Sequence, residues 1–190
     1  MRRIGILGDI GSGKSYVAKC FGQPVFNADL VVSKIYKKDK NIFKKLKKKL
    51  PAHFHSFPIK KIEIIDAILE NKNNLKKIIK IVHYEVRNKL NIFLKKNKNK
   101  KIVVLDIPLL LENKINKKND ILIFVESKRP EILKRLKKRD NYNSKLLKNF
   151  KKIQLPLDLK IKKSQFIIRN NFNKNSVKIK VRKILKILNK

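Results

Sequence analysis

The chain has 190 residues, of which 42% are hydrophobic, so it is long and apolar enough for one packed domain and is not disordered throughout. Its single cysteine, Cys20, excludes an internal disulfide, and its Cys and His residues show no zinc-binding spacing. It contains no run of about 18 apolar residues that could cross a membrane. We therefore expect a cytoplasmic protein.

The formal net charge of +37 raises the question of nucleic acid, because clustered Lys and Arg neutralise phosphates. Only eight of the 51 basic residues are Arg, however, and the lysines are spread over nearly every segment. A drift of the whole composition toward Lys, Asn and Ile would account for the excess without a binding role. We interpret the charge as a solvated surface that favours small polyanionic substrates.

The first predicted elements enclose a phosphate-binding motif. Residues 3–7 predict a buried strand, residues 16–21 can continue as a helix, and the segment 8–15 between them reads GDIGSGKS. This segment fits G-x-x-x-x-G-K-[ST] at every fixed position. A glycine-rich turn that binds nothing is the alternative, and the flanking strand and helix argue against it.

Each part of the motif has a physical role. Glycines let several backbone N–H groups turn toward a polyphosphate at the start of the helix. Lys14 can reach the β- and γ-phosphates, and the Ser15 hydroxyl can complete a Mg²⁺ shell. The motif predicts a nucleoside triphosphate site formed by Asp9, Ile10, Gly11, Ser12, Gly13, Lys14, Ser15 and Tyr16.

A second short strand is predicted at residues 24–27. It delivers Asp29 to the edge of the sheet at which open α/β folds bind their ligands. A lysine-rich helical pattern follows from residue 30 to about residue 50, where Pro51 ends it.

Apolar positions at helical spacing predict one or two further helices over about 62–96. His83 and Arg87 lie four residues apart there and share a helix face. By itself such a pair is more often a solvated or capping feature than a functional one.

The segment 101–106 is the clearest buried parallel strand, an apolar run that closes with Asp106. A carboxylate at this place commonly holds the Mg²⁺ shell of P-loop enzymes, and a helix N-cap is the alternative role. Another buried strand is predicted at 120–125. Strands that alternate with helices in this way imply right-handed crossovers and a parallel sheet.

A very basic helix is predicted from residue 131 to residue 138, with Arg135 and Arg139 projecting from the same side. Two such arginines suit a lid that closes over transferring phosphates, although ordinary solvated arginines give the same pattern. The weakly patterned stretch 141–163 is expected to complete this lid.

The chain is expected to finish with one more strand and one more helix. Residues 165–168 predict the strand, and Asn170 follows it directly. Residues 177–188 carry apolar side chains on one face and predict an amphipathic helix.

As a set, these motifs resemble the dephospho-CoA kinase family over nearly the whole chain. The most selective are Asp29 after the second strand and Pro-Leu-Leu-x-Glu at residues 108–112. The others that carry the resemblance are the P-loop, His83 with Val86 and Arg87, Arg135 with Arg139 and Asp140, Gln154, and Ile167-Ile168-x-Asn170.

The resemblance implies an enzyme that uses ATP and Mg²⁺ to phosphorylate the ribose 3′-hydroxyl of dephospho-CoA. It implies that Asp29 is the general base, that Lys14 binds the transferring phosphate and that Arg135 neutralises it. Arg139 and Asn170 are expected at the nucleotide. Residues expected to bind the acceptor are Asp29, His83, Arg87, Pro108, Leu109 and Glu112. Mg²⁺ is expected at Ser15, with Asp106 as a second candidate.

Five positions depart from the family's usual pattern, namely Leu7, Asp9, Asn27, Tyr84 and Arg169. Asp9 replaces a glycine and puts a carboxylate close to the phosphates. Asn27 replaces the first Asp of Asp-Ala-Asp, so it keeps a hydrogen-bonding group but loses a charge. We expect activity, lowered by these changes.

The sequence thus predicts a single α/β domain of the P-loop NTPase type, with a parallel sheet flanked by helices. A helical acceptor-binding insertion is expected at about 33–96 and a helical lid at about 129–160, in a monomer that does not bind membranes or nucleic acid. One alternative is another small P-loop kinase acting on a nucleoside or nucleotide. A basic nucleic-acid-binding protein with a vestigial P-loop is the other.

Overall fold

A computed structural model of the chain describes residues 1–139 and 142–188. Its strands are β1 (Arg2–Gly8), β2 (Val25–Asn27), β3 (Ile102–Asp106), β4 (Ile121–Glu126) and β5 (Phe166–Arg169). Its helices are α1 (Lys14–Cys20), α2 (Ala28–Lys38), α3 (Lys40–Lys49), α4 (Lys61–Glu70), α5 (Lys72–Lys96), α6 (Arg129–Lys137), α7 (Ser144–Lys152), α8 (Leu157–Lys162) and α9 (Lys174–Leu188).

These elements form two compact units. The first contains all the strands together with α1, α6, α8 and α9, and the second contains α2 to α5 together with α7. The predicted lid segment therefore contributes to both units, with α6 and α8 in the first and α7 in the second.

The first unit is built on a five-stranded sheet in the order β2-β3-β1-β4-β5, and every neighbouring pair is parallel. The predicted α/β class with a parallel sheet is confirmed. All the strands point the same way, so their carboxyl ends share one edge. At this edge Asn27 and Asp106 are register partners.

Helices α1 and α9 pack against one face of this sheet. The apolar core there joins side chains from β1, β3, β4 and β5 to those of the two helices, namely Ile4, Ile6, Val17, Ala18, Phe21, Ile102, Val104, Ile123, Val125, Ile168, Val177, Val181, Ile184 and Leu188. Gly5 permits a close approach to β1, because a Cβ atom there would lie only 2.5 Å from Leu110 Cδ2. This core fixes the strand ends from which the site residues extend.

The second unit is organised around α5, which packs against α2, α3 and α4, while α7 packs against α4. Side chains four residues apart on α5, at Ile78, Val82, Val86 and Leu90, are buried as its periodicity predicts. The buried Asn74 side chain donates to the carbonyl of Ala67 at 2.9 Å, which ties the start of α5 to α4.

The helical pattern predicted for 30–50 is divided in the structure. Asp39 separates α2 from α3 and caps α3, since its Oδ1 accepts a hydrogen bond from the Ile42 N–H at 3.0 Å. Within the described part of the chain, no helix has the length and apolar composition needed to cross a membrane.

Candidate active site

The P-loop, residues 8–15, leaves the carboxyl end of β1 and leads into α1. Gly11 and Gly13 have φ angles of 86° and 89°, in the left-handed region that suits glycine. A Cβ atom at Gly13 would collide with Asn170 Nδ2, and one at Gly11 would lie 3.0 Å from side-chain atoms of α6. Glycine is therefore required where neighbouring elements press against the loop.

Lys14 lies within this loop and is buried. Its Nζ donates to the carbonyl oxygens of Gly8 at 3.2 Å and Asp9 at 2.7 Å. Ser15 follows as an exposed residue in the first turn of α1. The loop thus presents an ammonium, a hydroxyl and a helix N-terminus together, and these are the groups that bind polyphosphate.

Two side chains from outside the loop hold the Ser12 carbonyl oxygen. Asn170 Nδ2 donates to it at 2.8 Å and Ser127 Oγ at 3.0 Å. Asn170 is itself buried, and its Oδ1 accepts the Phe172 N–H at 2.9 Å. The segments after β4 and β5 therefore both fix the conformation of the P-loop.

Asp9 is the carboxylate that stands in the loop where the family pattern has glycine. Its Oδ1 accepts a hydrogen bond from the Ile10 N–H at 2.7 Å, inside the segment whose N–H groups serve phosphate binding. The Asp9 side chain thus engages one of the loop's own donors.

The paired ends of β2 and β3 carry a polar contact. Asn27 Nδ2 donates to Asp106 Oδ2 at 2.6 Å, and Asp106 is buried. No α-helix starts directly after Asp106, since residues 108–114 form turns, so the N-cap alternative for Asp106 is wrong.

The Pro-Leu-Leu-x-Glu motif lies in this turn segment. Pro108 and Leu109 are half-buried, while the Glu112 side chain is only 8% exposed. Glu112 Oε1 accepts from Lys160 Nζ at 2.8 Å and from the Leu155 N–H at 3.0 Å. One oxygen of the Glu112 carboxylate is therefore held by residues more than 40 positions further along the chain.

Arg135 and Arg139, the two predicted lid arginines, are both exposed. Arg135 lies on α6, with its guanidinium carbon 4.4 Å from the centroid of the Phe172 ring. That contact places it beside the loop after β5 that also supports the P-loop. Arg139 follows the end of α6, and Asp140 lies outside the described residues.

Three predicted site residues belong to the second unit. Asp29 is exposed in the first turn of α2, two residues beyond Asn27 at the end of β2. On α5, burial lowers the pKa of His83, and the charge of Arg87 lowers it further. His83 is therefore a neutral imidazole near pH 7, able to donate from one ring nitrogen and accept at the other.

Among residues 1–139 and 142–188, no three His, Cys, Asp or Glu side chains are grouped to hold a metal ion. The residues predicted to hold Mg²⁺ are Ser15, in the first turn of α1, and Asp106, at the end of β3, and both offer oxygen atoms. Oxygen donors fit a hard cation such as Mg²⁺, which is commonly held by few protein groups together with phosphates and water.

Sequence reasoning missed Ser127 and Lys160 as parts of this region. Ser127 had a signal, because a hydroxyl residue lies two positions after the predicted strand 120–125 and directly after the observed β4. Lys160 had none, since it is one lysine in a chain crowded with them.

A parallel sheet whose first strand runs through a GxxxxGKS loop into a helix defines the class of P-loop nucleotide-binding proteins. Solved structures agree on this fold. TT1252 from Thermus thermophilus has a TM-score of 0.76 at 24% identity, with 98% of this chain and 97% of that chain covered. A dephospho-CoA kinase from Campylobacter jejuni has a TM-score of 0.64 at 21% identity, covering 98% and 97%.

Sequence comparison identifies the family. The dephospho-CoA kinase family profile matches residues 2–176. A dephospho-CoA kinase of the Wolbachia of Brugia malayi is 36% identical over 187 residues, which cover 96% of this chain and 95% of that relative. The chain therefore belongs to the dephospho-CoA kinase family, as its motifs predicted.

Proposed function

We propose that the protein transfers the γ-phosphoryl group of ATP to the ribose 3′-hydroxyl of dephospho-CoA, giving coenzyme A and ADP. The observation that carries this proposal is the intact P-loop, with its buried Lys14, in a chain that matches the family over residues 2–176. The activity is that of a transferase in coenzyme A biosynthesis, and its substrates are small molecules.

ATP occupies the P-loop in this proposal. The N–H groups of residues 9–16 surround the β- and γ-phosphates, and Lys14 exchanges its carbonyl partners for phosphate oxygens. Asn170 fixes the loop through the Ser12 carbonyl and lies near the bound nucleotide. Arg139 contributes a further positive charge to the nucleotide.

Ser15 and Asp106 are the residues that would hold Mg²⁺, directly or through water. When bound with ATP, this ion neutralises charge on the β- and γ-phosphates. Asn27 supports the assignment of Asp106, because its amide donates to one carboxylate oxygen and fixes the orientation of the group. Because the partner in this contact is the amide of Asn27, Asp106 supplies the only carboxylate in it.

Phosphoryl transfer then needs positioning more than covalent chemistry. The 3′-oxygen bonds to the γ-phosphorus as the bond from that phosphorus to the β,γ-bridging oxygen breaks, and ADP leaves. Asp29 accepts the hydroxyl proton. Arg135 moves from Phe172 to the transferring group and stabilises its charge.

Hydrogen-bonding and apolar groups hold the acceptor in this proposal. His83 and Arg87 bind its polar and anionic parts, and the lowered pKa of His83 keeps that ring able to accept a hydrogen bond. Pro108 and Leu109 provide apolar contact, and Glu112 accepts from a hydroxyl, amino or amide donor of the acceptor.

We further infer that the protein acts as a monomer in the cytoplasm and does not use its +37 charge to bind nucleic acid. The scarcity of Arg supports the inference about nucleic acid, because bidentate recognition of phosphates and bases relies on guanidinium groups.

The decisive experiment is ADP release by the purified protein with ATP, Mg²⁺ and dephospho-CoA, beside adenosine, AMP and CMP as other acceptors. Lys14→Ala should abolish turnover, whereas Lys19→Ala, which changes an exposed lysine of the same helix, should not. Turnover with dephospho-CoA alone supports the proposal. Turnover with another acceptor, or ADP release equal in Lys14→Ala, contradicts it.

A further inference from the structure

Lys160 is unusual among the lysines of this chain. Within the described residues only two lysines are buried, and the other is Lys14 of the P-loop. Lys160 is 1% exposed, although it lies on α8, a short helix whose other lysine, Lys162, is exposed. Burying an ammonium is costly unless it is paired and hydrogen-bonded, so its partners show what it does.

Glu112 is the nearer of the two partners of Lys160. Lys160 Nζ lies 2.8 Å from Glu112 Oε1 and also donates to Gln154 Oε1 at 3.3 Å. The Leu155 N–H adds a third contact, since it donates to the same Glu112 Oε1 at 3.0 Å. Thus the segment from Gln154 to Lys160 holds one oxygen of one carboxylate.

The second oxygen of this carboxylate, Oε2, lacks such donors. Glu112 Oε2 is buried, yet no described residue donates a hydrogen bond to it. The Glu112 side chain is 92% shielded from solvent. A carboxylate oxygen buried to this extent is expected to accept a hydrogen bond from a donor. With Oε1 occupied by two protein donors, Oε2 is the atom left to accept from a bound molecule.

We propose that Lys160 is a positioning residue for the acceptor: it fixes Glu112 so that Oε2 accepts a hydrogen bond from a hydroxyl or N–H donor of dephospho-CoA. This inference rests on the proposed function. Lys160 also compensates the charge of Glu112, so a polyanionic acceptor meets a nearly neutral pair rather than a lone buried carboxylate. Its effect is therefore exerted on the acceptor and not on ATP.

The test compares steady-state constants for both substrates in wild type, Lys160→Met, Lys160→Arg, Glu112→Gln and the double variant Lys160→Met/Glu112→Gln. We expect Lys160→Met to raise KM for dephospho-CoA about tenfold, the loss expected when a charged hydrogen-bonding group is displaced. KM for ATP should stay within about twofold. Lys160→Arg, which keeps the charge, should restore most of the affinity, and Lys162→Met is the matched control with no effect.

The double variant separates positioning from folding. Glu112→Gln removes the buried charge that Lys160→Met leaves unpaired, so the double variant should recover much of the lost thermal stability. If Lys160 positions Glu112, KM for dephospho-CoA nevertheless stays as high as in Glu112→Gln alone. This comparison remains valid if Lys160→Met fails to fold.

Three results would overturn the inference. An unchanged KM for dephospho-CoA in Lys160→Met, an equal rise of both KM values, or recovery of KM together with stability in the double variant would each assign Lys160 a structural role only. Failure of the proposed function looks different, because wild type itself would then not turn over dephospho-CoA, and the inference would fall with it.

Discussion

Asp9 is the residue at which the P-loop departs most directly from its glycine-rich pattern. Its carboxylate accepts the Ile10 N–H at 2.7 Å and brings a negative charge into a loop that binds polyphosphate. We predict that Asp9→Gly lowers KM for ATP about fivefold, because like-charge repulsion of about 1 kcal/mol at the solvent boundary is removed. The measurement is KM for ATP, with calorimetric binding of ATP as a second readout.

Asp9→Asn separates the charge from the hydrogen bond. Its amide oxygen can still accept the Ile10 N–H, so an improvement shared by Asn and Gly assigns the effect to charge. If only Asp9→Gly lowers KM for ATP, the effect comes from the hydrogen bond that occupies the Ile10 N–H. If neither variant binds ATP more tightly, Asp9 does not impair the loop.

Asp29 carries the proton transfer in the proposed mechanism. We predict that Asp29→Asn lowers kcat by about 10²- to 10⁴-fold, the usual contribution of a general base, and leaves KM for ATP within about twofold. Single-turnover rates with dephospho-CoA provide the measurement.

The matched control for this variant is Asp66→Asn, the same chemical change at an exposed position of α4 in the same unit. It should leave kcat unchanged. Wild-type turnover in Asp29→Asn would show that another group, or no group, accepts the proton.

Sequence reasoning locates residues whose position follows from local spacing. The P-loop pattern fixes the positions of Lys14 and Gly13, and in the structure Lys14 is buried and Gly13 has a left-handed φ. Lys160 and Ser127 depend on contacts across more than 40 and 100 residues of chain, respectively. No spacing rule identifies one buried lysine among many exposed ones.

At the scale of elements, the turn after β5 supports the P-loop. Asn170 links them by donating to the Ser12 carbonyl and accepting the Phe172 N–H. We predict that Asn170→Ala destabilises the protein by about 1–2 kcal/mol, the cost of leaving buried polar groups with fewer partners. KM for ATP should also rise severalfold, because the Ser12 carbonyl then has Ser127 as its remaining side-chain donor among the described contacts.

The adjacent Asn171 is exposed, and the hydrogen bond that its Oδ1 accepts from the Asn173 N–H at 3.2 Å is solvent-exposed, so it makes the matched control. Asn171→Ala should change stability by less than about 0.5 kcal/mol, as is usual for surface sites. Thermal unfolding and KM for ATP are measured on both variants. Equal effects of the two substitutions would argue against a support role for Asn170.

The boundaries of elements were predicted less well than their existence. The strands at the sheet were foreseen because buried parallel strands are continuous apolar runs. The helical pattern of 30–50 hid a break at Asp39, although an N-cap residue was visible there. Helices α7 and α8 were not placed individually within the predicted helical lid, because they are short, with nine and six residues, and α7 buries no residue completely.

At the scale of the whole molecule, charge is the dominant property. With 51 basic and 14 acidic residues, ion pairs can neutralise only a minority of the positive charges. Mutual repulsion of the lysines therefore destabilises the folded chain, and salt should relieve it. The fold class was predictable despite this composition, because charge governs solubility and association rather than the apolar pattern that directs folding.

We predict that raising NaCl from about 10 mM to about 150 mM, which shortens the Debye length from about 30 Å to about 8 Å, raises the unfolding midpoint by about 4 °C. KM for ATP should rise over the same range, since the attraction of a polyanion to a basic protein is screened. Differential scanning fluorimetry and steady-state kinetics measure the two effects. A midpoint that falls with NaCl would mean that surface ion pairs outweigh the repulsion.

General screening must be distinguished from anion binding in the P-loop. Lys14→Ala removes the loop's ammonium but only one of the 51 basic residues, so the NaCl-dependent rise should persist in it. Inorganic phosphate at matched ionic strength should add a further rise in wild type that Lys14→Ala lacks, because only a bound ligand stabilises by mass action. If phosphate raises the midpoint equally in both proteins, its effect does not depend on Lys14, and the P-loop ammonium contributes nothing to it.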